Sequence, residues 1–357
     1  MLTVVAMSGG VDSSAAAALL TGELGADSVC GIALRLYSTS EEAERSGRSC
    51  CAPADLYDAR RAAAALGIRF YVYDAQDRFR SEVIDDFVAS YARGETPNPC
   101  VRCNDEVKFE WLLDRAQRLG AAALATGHYA RIEQAPDGRY RLLRARDTAK
   151  DQSYFLHGLT QRELRFVRFP LGDLTKAQAR AIAREHGLGN ADKPESMETC
   201  FVAGRTVGDF LEGHGIPKAR GEIVDVEGRV LGEHDGVHRF TVGQRKGLGV
   251  SHRLPLYVAG LDALRQRVVV GTREEAARST FRARAARWVS QPLESGSTCE
   301  VQIRHRGKPL RAAVEPLPGG DVGVRLQEPA LGIAPGQSAV FYRGDEVLGG
   351  GRIAAAS

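Results

Sequence analysis

The stretch Leu2–Ser14, "LTVVAMSGGVDSS", constrains the fold more than any other. An apolar run of strand length ends in Ser-Gly-Gly, and Asp-Ser-Ser opens a segment rich in Ala and Leu. Leu2–Ala6 reads as a buried strand and Ser13–Leu24 as a helix. A strand that is apolar throughout must be covered on both faces, which a parallel sheet with crossover helices provides. The alternation continues. Ser28–Tyr37 is a second strand, 38–53 a polar loop, "ADLYDARRAAAALG" a helix stopping at Gly67, and "IRFYVYDA" a strand. A helix over Phe79–Ala92 and the loop "RGETPNPCVRC" follow. "NDEVKFEWLLDRAQRLG" reads as a helix with Asn104 as N-cap, and "AAALATGHYARI" as one buried strand. "TKAQARAIAREHG" carries a capping box, Thr175 with Gln178, and a stop at Gly187.

After about residue 206 helical periodicity fades. Short strands punctuated by glycine take over: "GEIVDVEGRVLG", "HRFTVGQ", "PLYVAGLD" and "QRVVVG". From about residue 277, "TFRARAARWVS", "TCEVQIRHR", "LRAAVEPL", "VGVRLQ" and "QSAVFYRGDEVLGGGRI" read as five or six antiparallel strands, a pattern of small barrels. The expected fold class is therefore α/β: a parallel-sheet domain over 1–206, then two small mainly-β domains over 207–276 and 277–357. The 357 residues suit two or three domains.

The formal net charge of +3 does not mark the whole chain as a nucleic-acid binder. Arginines beside glycine, as in "GQRKGLG" and "IRHRGKPLR", suit either phosphate contacts or a solvated face. The N-terminus lacks the features of a signal peptide and no apolar stretch is long enough to span a membrane, so a cytoplasmic protein is expected. Seven cysteines do not form a disulfide framework in a chain this long. Cys30 and Cys299 lie in strand patterns and read as core. The adjacent Cys50 and Cys51 read as reduced loop thiols. Cys100 and Cys103 form Cys-x-x-Cys, which in a cytosolic chain is metal-binding or redox-active. Cys103, just before the expected helix, gains from the helix dipole as a thiolate, against the opposing charges of Asp105 and Glu106. Cys200 stands far down the chain in "ESMETCFVAG".

A strand, Gly-Gly and a helix start cradle phosphate, because free N–H groups point at the anion. The Gly-x-x-x-x-Gly-Lys pattern is absent. Ser8-Gly9-Gly10-Val11-Asp12-Ser13 instead resembles the PP-loop of ATP pyrophosphatases, the adenine nucleotide alpha hydrolase-like group. These split ATP between its α- and β-phosphates. From "AMSGGVDSS" through "TPNPCVRCNDEVKF", "ATGHYAR", "KDQSYFL", "ESMETCF" and "FTVGQRKGLG" to "GQSAVFY" and "LGGGRI", nearly the full chain resembles the tRNA-specific 2-thiouridylases.

The resemblance implies ATP-dependent 2-thiolation of a tRNA wobble uridine. The C2 oxygen is adenylated, a cysteine persulfide delivers sulfur, and AMP and pyrophosphate leave. It implies Cys103 as nucleophile and Cys200 as persulfide carrier, with a disulfide between them after turnover. It implies ATP contacts at Ala6, Met7, Ser8, Gly9, Gly10, Val11, Asp12, Ser13, Leu34 and Gly127. It implies target-base contacts at Asn98, Pro99 and Cys100, and tRNA contacts at Lys150, Asp151, Gln152, Arg304 and His305. Asp12 is also a candidate for Mg²⁺ or the phosphate network. An upstream sulfur donor, a cysteine desulfurase or a sulfur relay protein, is implied as partner.

One position departs from the common pattern, which has aspartate where this chain has Cys100. A second reading therefore stands beside the persulfide relay: Cys100, Cys103 and Cys200 as ligands of a [4Fe–4S] cluster. Zinc would want a fourth ligand. His128 reads equally as a ligand-facing or a structural residue, and "GQRKGLG" as a closing loop or an exposed turn. Two other classes remain as competitors. A PP-loop ligase would leave both Cys103 and Cys200 idle, and a non-catalytic RNA-binding protein would form no AMP.

Overall fold

The computed structural model describes residues 1–37, 53–194, 199–202 and 204–354. Cys50, Cys51 and most of the expected polar loop over 38–53 lie outside the described residues. The chain forms two compact units. The first comprises Met1–Val83, Cys100–Gly204 and Asp345–Val347, the second Ile84–Pro99, Arg205–Gly344 and the residues from Leu348 onward.

The first unit is built on a parallel sheet of β1 (Thr3–Ala6), β2 (Val29–Arg35), β3 (Arg69–Asp74), β4 (Ala123–Thr126) and β7 (Val167–Arg168), in the order β3-β2-β1-β4-β7. All four neighbouring pairs are parallel. The order reverses between β1 and β4, which opens a crevice at their carboxyl ends. The Ala-rich helix Val11–Leu24 is buried along most of its length, with Ala15 to Ala18 fully inaccessible. Alanine suits this place because it sacrifices no rotamer entropy and lets neighbouring elements approach closely. The helix packs against Lys176–Glu185, whose capping box uses Thr175 and Gln178 as the spacing predicts.

Two expectations are corrected here. "AAALATGHYARI" is not one strand. β4 ends at Thr126, and after Gly127–Tyr129 the chain enters β5 (Ala130–Gln134), which pairs antiparallel with β6 (Tyr140–Arg144). A Cβ on Gly127 would lie 2.7 Å from Ser13 N, so the break falls where the backbone must pass the start of the first helix. Nor is Asn104 an N-cap. The helix begins at Pro99, runs to Arg102, continues as a π-helical stretch over Cys103–Leu112, and ends as an α-helix over Leu113–Arg118. Proline fits the first helical position because its φ is preset and its missing N–H would be unpaired there anyway. Cys100, not Cys103, thus stands in the first turn, nearer the positive end of the dipole.

The second unit contains a four-stranded sheet of β8 (Gly221–Asp225), β9 (Val230–His234), β10 (Tyr257–Asp262) and β11 (Arg267–Gly271), ordered β10-β11-β8-β9, around a core that includes Ile223, Phe240, Val258 and Val268. It also holds a barrel of β12 (Arg278–Trp288), β13 (Thr298–Gln302), β14 (Leu310–Leu317), β15 (Asp321–Ala330), β16 (Ser338–Arg343) and β17 (Glu346–Ile353). β12 pairs with both β15 and β17, so these six strands close on themselves, while β6 and β5 extend the sheet from the start of β17. Val301, Val314, Val324 and Phe341 fill it. Among the described residues, no helix is long and apolar enough to cross a membrane.

Candidate active site

A pocket of 240 Å³ lies at the carboxyl ends of β1, β2 and β4. Ala6, Met7, Ser8, Asp12 and Ser13 line it from the first strand and helix, Ile32 and Leu34 from β2, and Thr126, Gly127 and His128 from the end of β4. The expected nucleotide contacts Ala6, Met7, Ser8, Asp12, Ser13, Leu34 and Gly127 are brought together in it. Gly9, Gly10 and Val11 form the turn beneath. Gly9 adopts φ +78°, and Gly10 is the N-cap of the helix with extended backbone. The Ser8 N–H donates to Ser13 Oγ at 3.1 Å, and Ser13 Oγ donates to Gly10 O at 3.1 Å. The loop is thus folded on itself by its own hydroxyl.

The loop is supported from behind. Asn190 Nδ2 donates to Gly9 O and to Ser14 Oγ, each at 2.9 Å. Lys193 joins the buried Asp55 and, at 2.6 Å, Asp58. Asp12 accepts from Tyr129 Oη at 2.8 Å and from Lys176 Nζ at 2.7 and 2.8 Å. Its carboxylate therefore already has an ammonium partner. None of these supporting residues stands out in sequence, because each arrives from a distant segment.

His128 Nδ1 lies 2.7 Å from Thr126 Oγ1, and the ring packs against Phe109 and Phe169, which also meet each other. Burial, aided by the Lys108 ammonium, holds its pKa well below the usual imidazole value, so it is neutral at physiological pH. Lys108 and Gln152 also line the pocket. Lys108 Nζ donates to Asn104 Oδ1 at 3.0 Å, the i, i+4 spacing of one helix face. That spacing within "CNDEVKF" was the available signal for Lys108.

The cysteines divide by environment. Cys100 is exposed, and Cys103 and Cys200 are half-buried. Cys103 sits on the same helix as Lys108. That helix is tied to its neighbour by Arg102 to Glu82 and by Arg78 to Glu106 and Glu110, at 3.0–3.5 Å. A π-helical stretch widens the helix at this point and re-aims its side chains. The carbonyl of Cys200 accepts from Tyr37 Oη at 2.8 Å, and Phe201 meets Phe79 edge to face. Among the described residues, no group of three or more His, Cys, Asp or Glu could hold a metal ion. Cys30 and Cys299 are buried in strands, and burial pushes the Cys299 thiol up to about 11. At pH 8, iodoacetamide is expected to modify Cys100 and spare Cys30 and Cys299 until the protein is unfolded, because the thiolate is the nucleophile. Peptide mass spectrometry reads this directly.

The implied RNA contacts fall in different settings. Asn98 and Pro99 are half-buried at the start of the Cys100 helix. Asp151 is nearly inaccessible and bound by Arg144 Nη1 at 3.1 Å, Ala145 N at 2.9 Å and Ser153 Oγ at 2.9 Å. Its carboxylate organises the turn, with the half-buried Lys150 on one side and Gln152 on the other. Gln152 Oε1 accepts from Tyr129 N at 3.0 Å. Arg304 is exposed and His305 half-buried after β13.

A parallel sheet with a glycine turn feeding a helix at its switch point defines a nucleotide-binding domain of the PP-loop class. Family models match in the same order: a tRNA methyl transferase HUP domain over residues 1–204, a tRNA methyl transferase PRC-barrel domain over 208–272 and an aminomethyltransferase beta-barrel domain over 278–353. The tRNA-specific 2-thiouridylase MnmA of Geobacter metallireducens is 50% identical over 357 positions, covering 99% of this chain and 96% of that one. That of Geotalea uraniireducens is 49% identical, covering 98% and 94%, and that of Acidobacterium capsulatum 47%, covering 98% of each. The chain belongs to the MnmA family of tRNA-specific 2-thiouridylases.

Proposed function

We propose that this chain is an ATP-dependent tRNA-uridine 2-sulfurtransferase, organised as a catalytic domain over 1–206 and two β domains over 207–276 and 277–357. The observation that carries the reading is one helix with two duties: Lys108 lines the nucleotide pocket, and Cys103 stands about one turn earlier on the same helix.

ATP sits with its adenine against Ile32 and Leu34 and its phosphates over the Ser8–Ser13 turn, where the helix N-terminus favours negative charge. Asp12 already pairs with Lys176, so a Mg²⁺ ion would be held chiefly by the ATP phosphates, whose charge it would offset. Lys108 meets charge that develops as pyrophosphate leaves. The C2 oxygen of the uridine attacks the α-phosphorus, giving an adenylated base and pyrophosphate. The terminal sulfur of a Cys200 persulfide then attacks C2, and AMP departs with the oxygen. Cys103 thiolate attacks Cys200 Sγ, which frees 2-thiouridine and leaves a Cys103–Cys200 disulfide. A thiol reductant resets the pair, and a cysteine desulfurase or relay protein reloads Cys200. His128, kept neutral by burial, moves no proton in this scheme.

The test supplies unmodified tRNA, ATP, Mg²⁺ and a cysteine desulfurase with cysteine. Equal amounts of 2-thiouridine, AMP and pyrophosphate are expected, by nucleoside mass spectrometry and nucleotide chromatography. Amide formation without thiolation, or no AMP in the presence of tRNA, would overturn the reading.

A further inference from the structure

Within the second unit, the segment just before Cys100 is held as a strap. Thr96 N donates to Pro335 O at 2.7 Å. Gln337 Nε2 donates to Thr96 O at 2.9 Å and to Pro97 O at 3.3 Å, so one amide fixes two consecutive carbonyls. Thr96 Oγ1 donates to Thr241 Oγ1 at 3.3 Å. Gly336 has φ +92°, and a Cβ there would lie 2.9 Å from the Thr96 carbonyl, so the two backbones touch. One residue earlier, the nearly inaccessible Glu95 is gripped by Arg284 at 2.7 Å, Arg93 at 3.2 Å and Arg352 at 3.3 Å.

The strap shares its anchors with a groove. Thr241 and Gln337 also line a 990 Å³ groove whose cationic side chains are Arg273, Arg304, Arg306 and Lys308. Four cations and no carboxylate among the lining residues suit a phosphate backbone. We propose that Gln337 and Thr241 are positioning residues for sulfur transfer: they tie the Thr96–Pro97 strap to the wall of the RNA-binding groove, so that RNA seated there meets Asn98, the implied target-base contact, in a fixed place. This rests on the sulfurtransferase reading above. Pro97 precedes Asn98 directly, so little slack separates the strap from that residue. A misplacement near 1 Å at a reacting group costs about 100-fold in rate.

Gln337→Glu keeps size and removes the donor, setting a carboxylate against two carbonyl oxygens. Single-turnover thiolation at saturating tRNA is expected to fall about 10- to 100-fold. A carboxylate in the groove should also raise the tRNA Kd by filter binding, so the rate is compared at tRNA saturation, where weaker binding no longer counts. Thr241→Val, which loses a single hydrogen bond, should slow the same step by a few-fold. Should Gln337→Glu fail to fold, Thr241→Val decides alone. Parent-like single-turnover rates, or losses accounted for entirely by weaker tRNA binding, would overturn the proposal. A parent protein that does not thiolate tRNA would instead overturn the function itself.

Discussion

Cys200→Ser protein is expected to release pyrophosphate from ATP in the presence of tRNA but to form no 2-thiouridine. Adenylation needs only the pocket at the ends of β1, β2 and β4, to which Cys200 contributes no lining atom. Sulfur transfer needs a persulfide, and serine cannot carry one. Cys103→Ser should fail one step later. Without its thiolate nothing resolves the C2–S–S–Cys200 bond, so a tRNA–protein adduct should collect, visible on a non-reducing gel and released by dithiothreitol. Cys100→Ala should keep thiolating, because Cys100 has no step in the relay. Loss of activity on Cys100→Ala, together with iron in anaerobically purified protein, would favour a cluster and refute the relay as written. Pyrophosphate release without thiolation in the parent protein, unchanged in Cys103→Ser and Cys200→Ser, would return the chain to the ligase class.

The second large effect is expected at Gly9. An alanine Cβ there would lie 2.1 Å from Asp55 O, on a residue whose φ of +78° already disfavours any side chain. The turn has little room to yield, since Asn190 holds the Gly9 carbonyl and Lys193 holds the Asp55 carboxylate. Gly9→Ala should therefore displace the phosphate-facing N–H groups and lower tRNA-dependent pyrophosphate release at least ~100-fold. Backbone strain should add about 1–3 kcal/mol of destabilisation. Gly22→Ala is the contrast. Gly22 lies in the helix interior with no atom within 4 Å of the added carbon. It should leave activity intact and stabilise by up to about 1 kcal/mol, because alanine is the better helix former. Equal losses for the two variants, measured as pyrophosphate release with circular dichroism to check folding, would refute the role given to the loop.

Much of the architecture is legible in the one-dimensional pattern. Strand-length apolar runs alternating with helical periodicity specify a covered parallel sheet, because the central runs must bury both faces; only the edge strand β3 is left largely exposed. The Thr175 capping box and the Gly-Gly turn at Gly9 and Gly10 are equally local, since their hydrogen bonds span only a few residues. The start of the Cys100 helix was misread for a local reason as well: Asn104 is a good N-cap residue, but Pro99 is preset for the first turn, and once helix begins there Asn104 is interior. Its side chain bonds Phe155 O and Lys108 instead.

What sequence could not decide is what comes from far along the chain. Lys176 on Asp12, Asn190 on Gly9 and Lys193 on Asp55 are long-range contacts with no periodicity to announce them. The same holds for Gln337 on Thr96 and Pro97, where residues 240 positions apart share two hydrogen bonds. Residue type and spacing mark which groups are candidates for the chemistry, because turns, caps and thiols are local properties. Which groups hold them in place is settled only by folding, because a side chain's partner is whatever the tertiary structure brings within 3 Å of it.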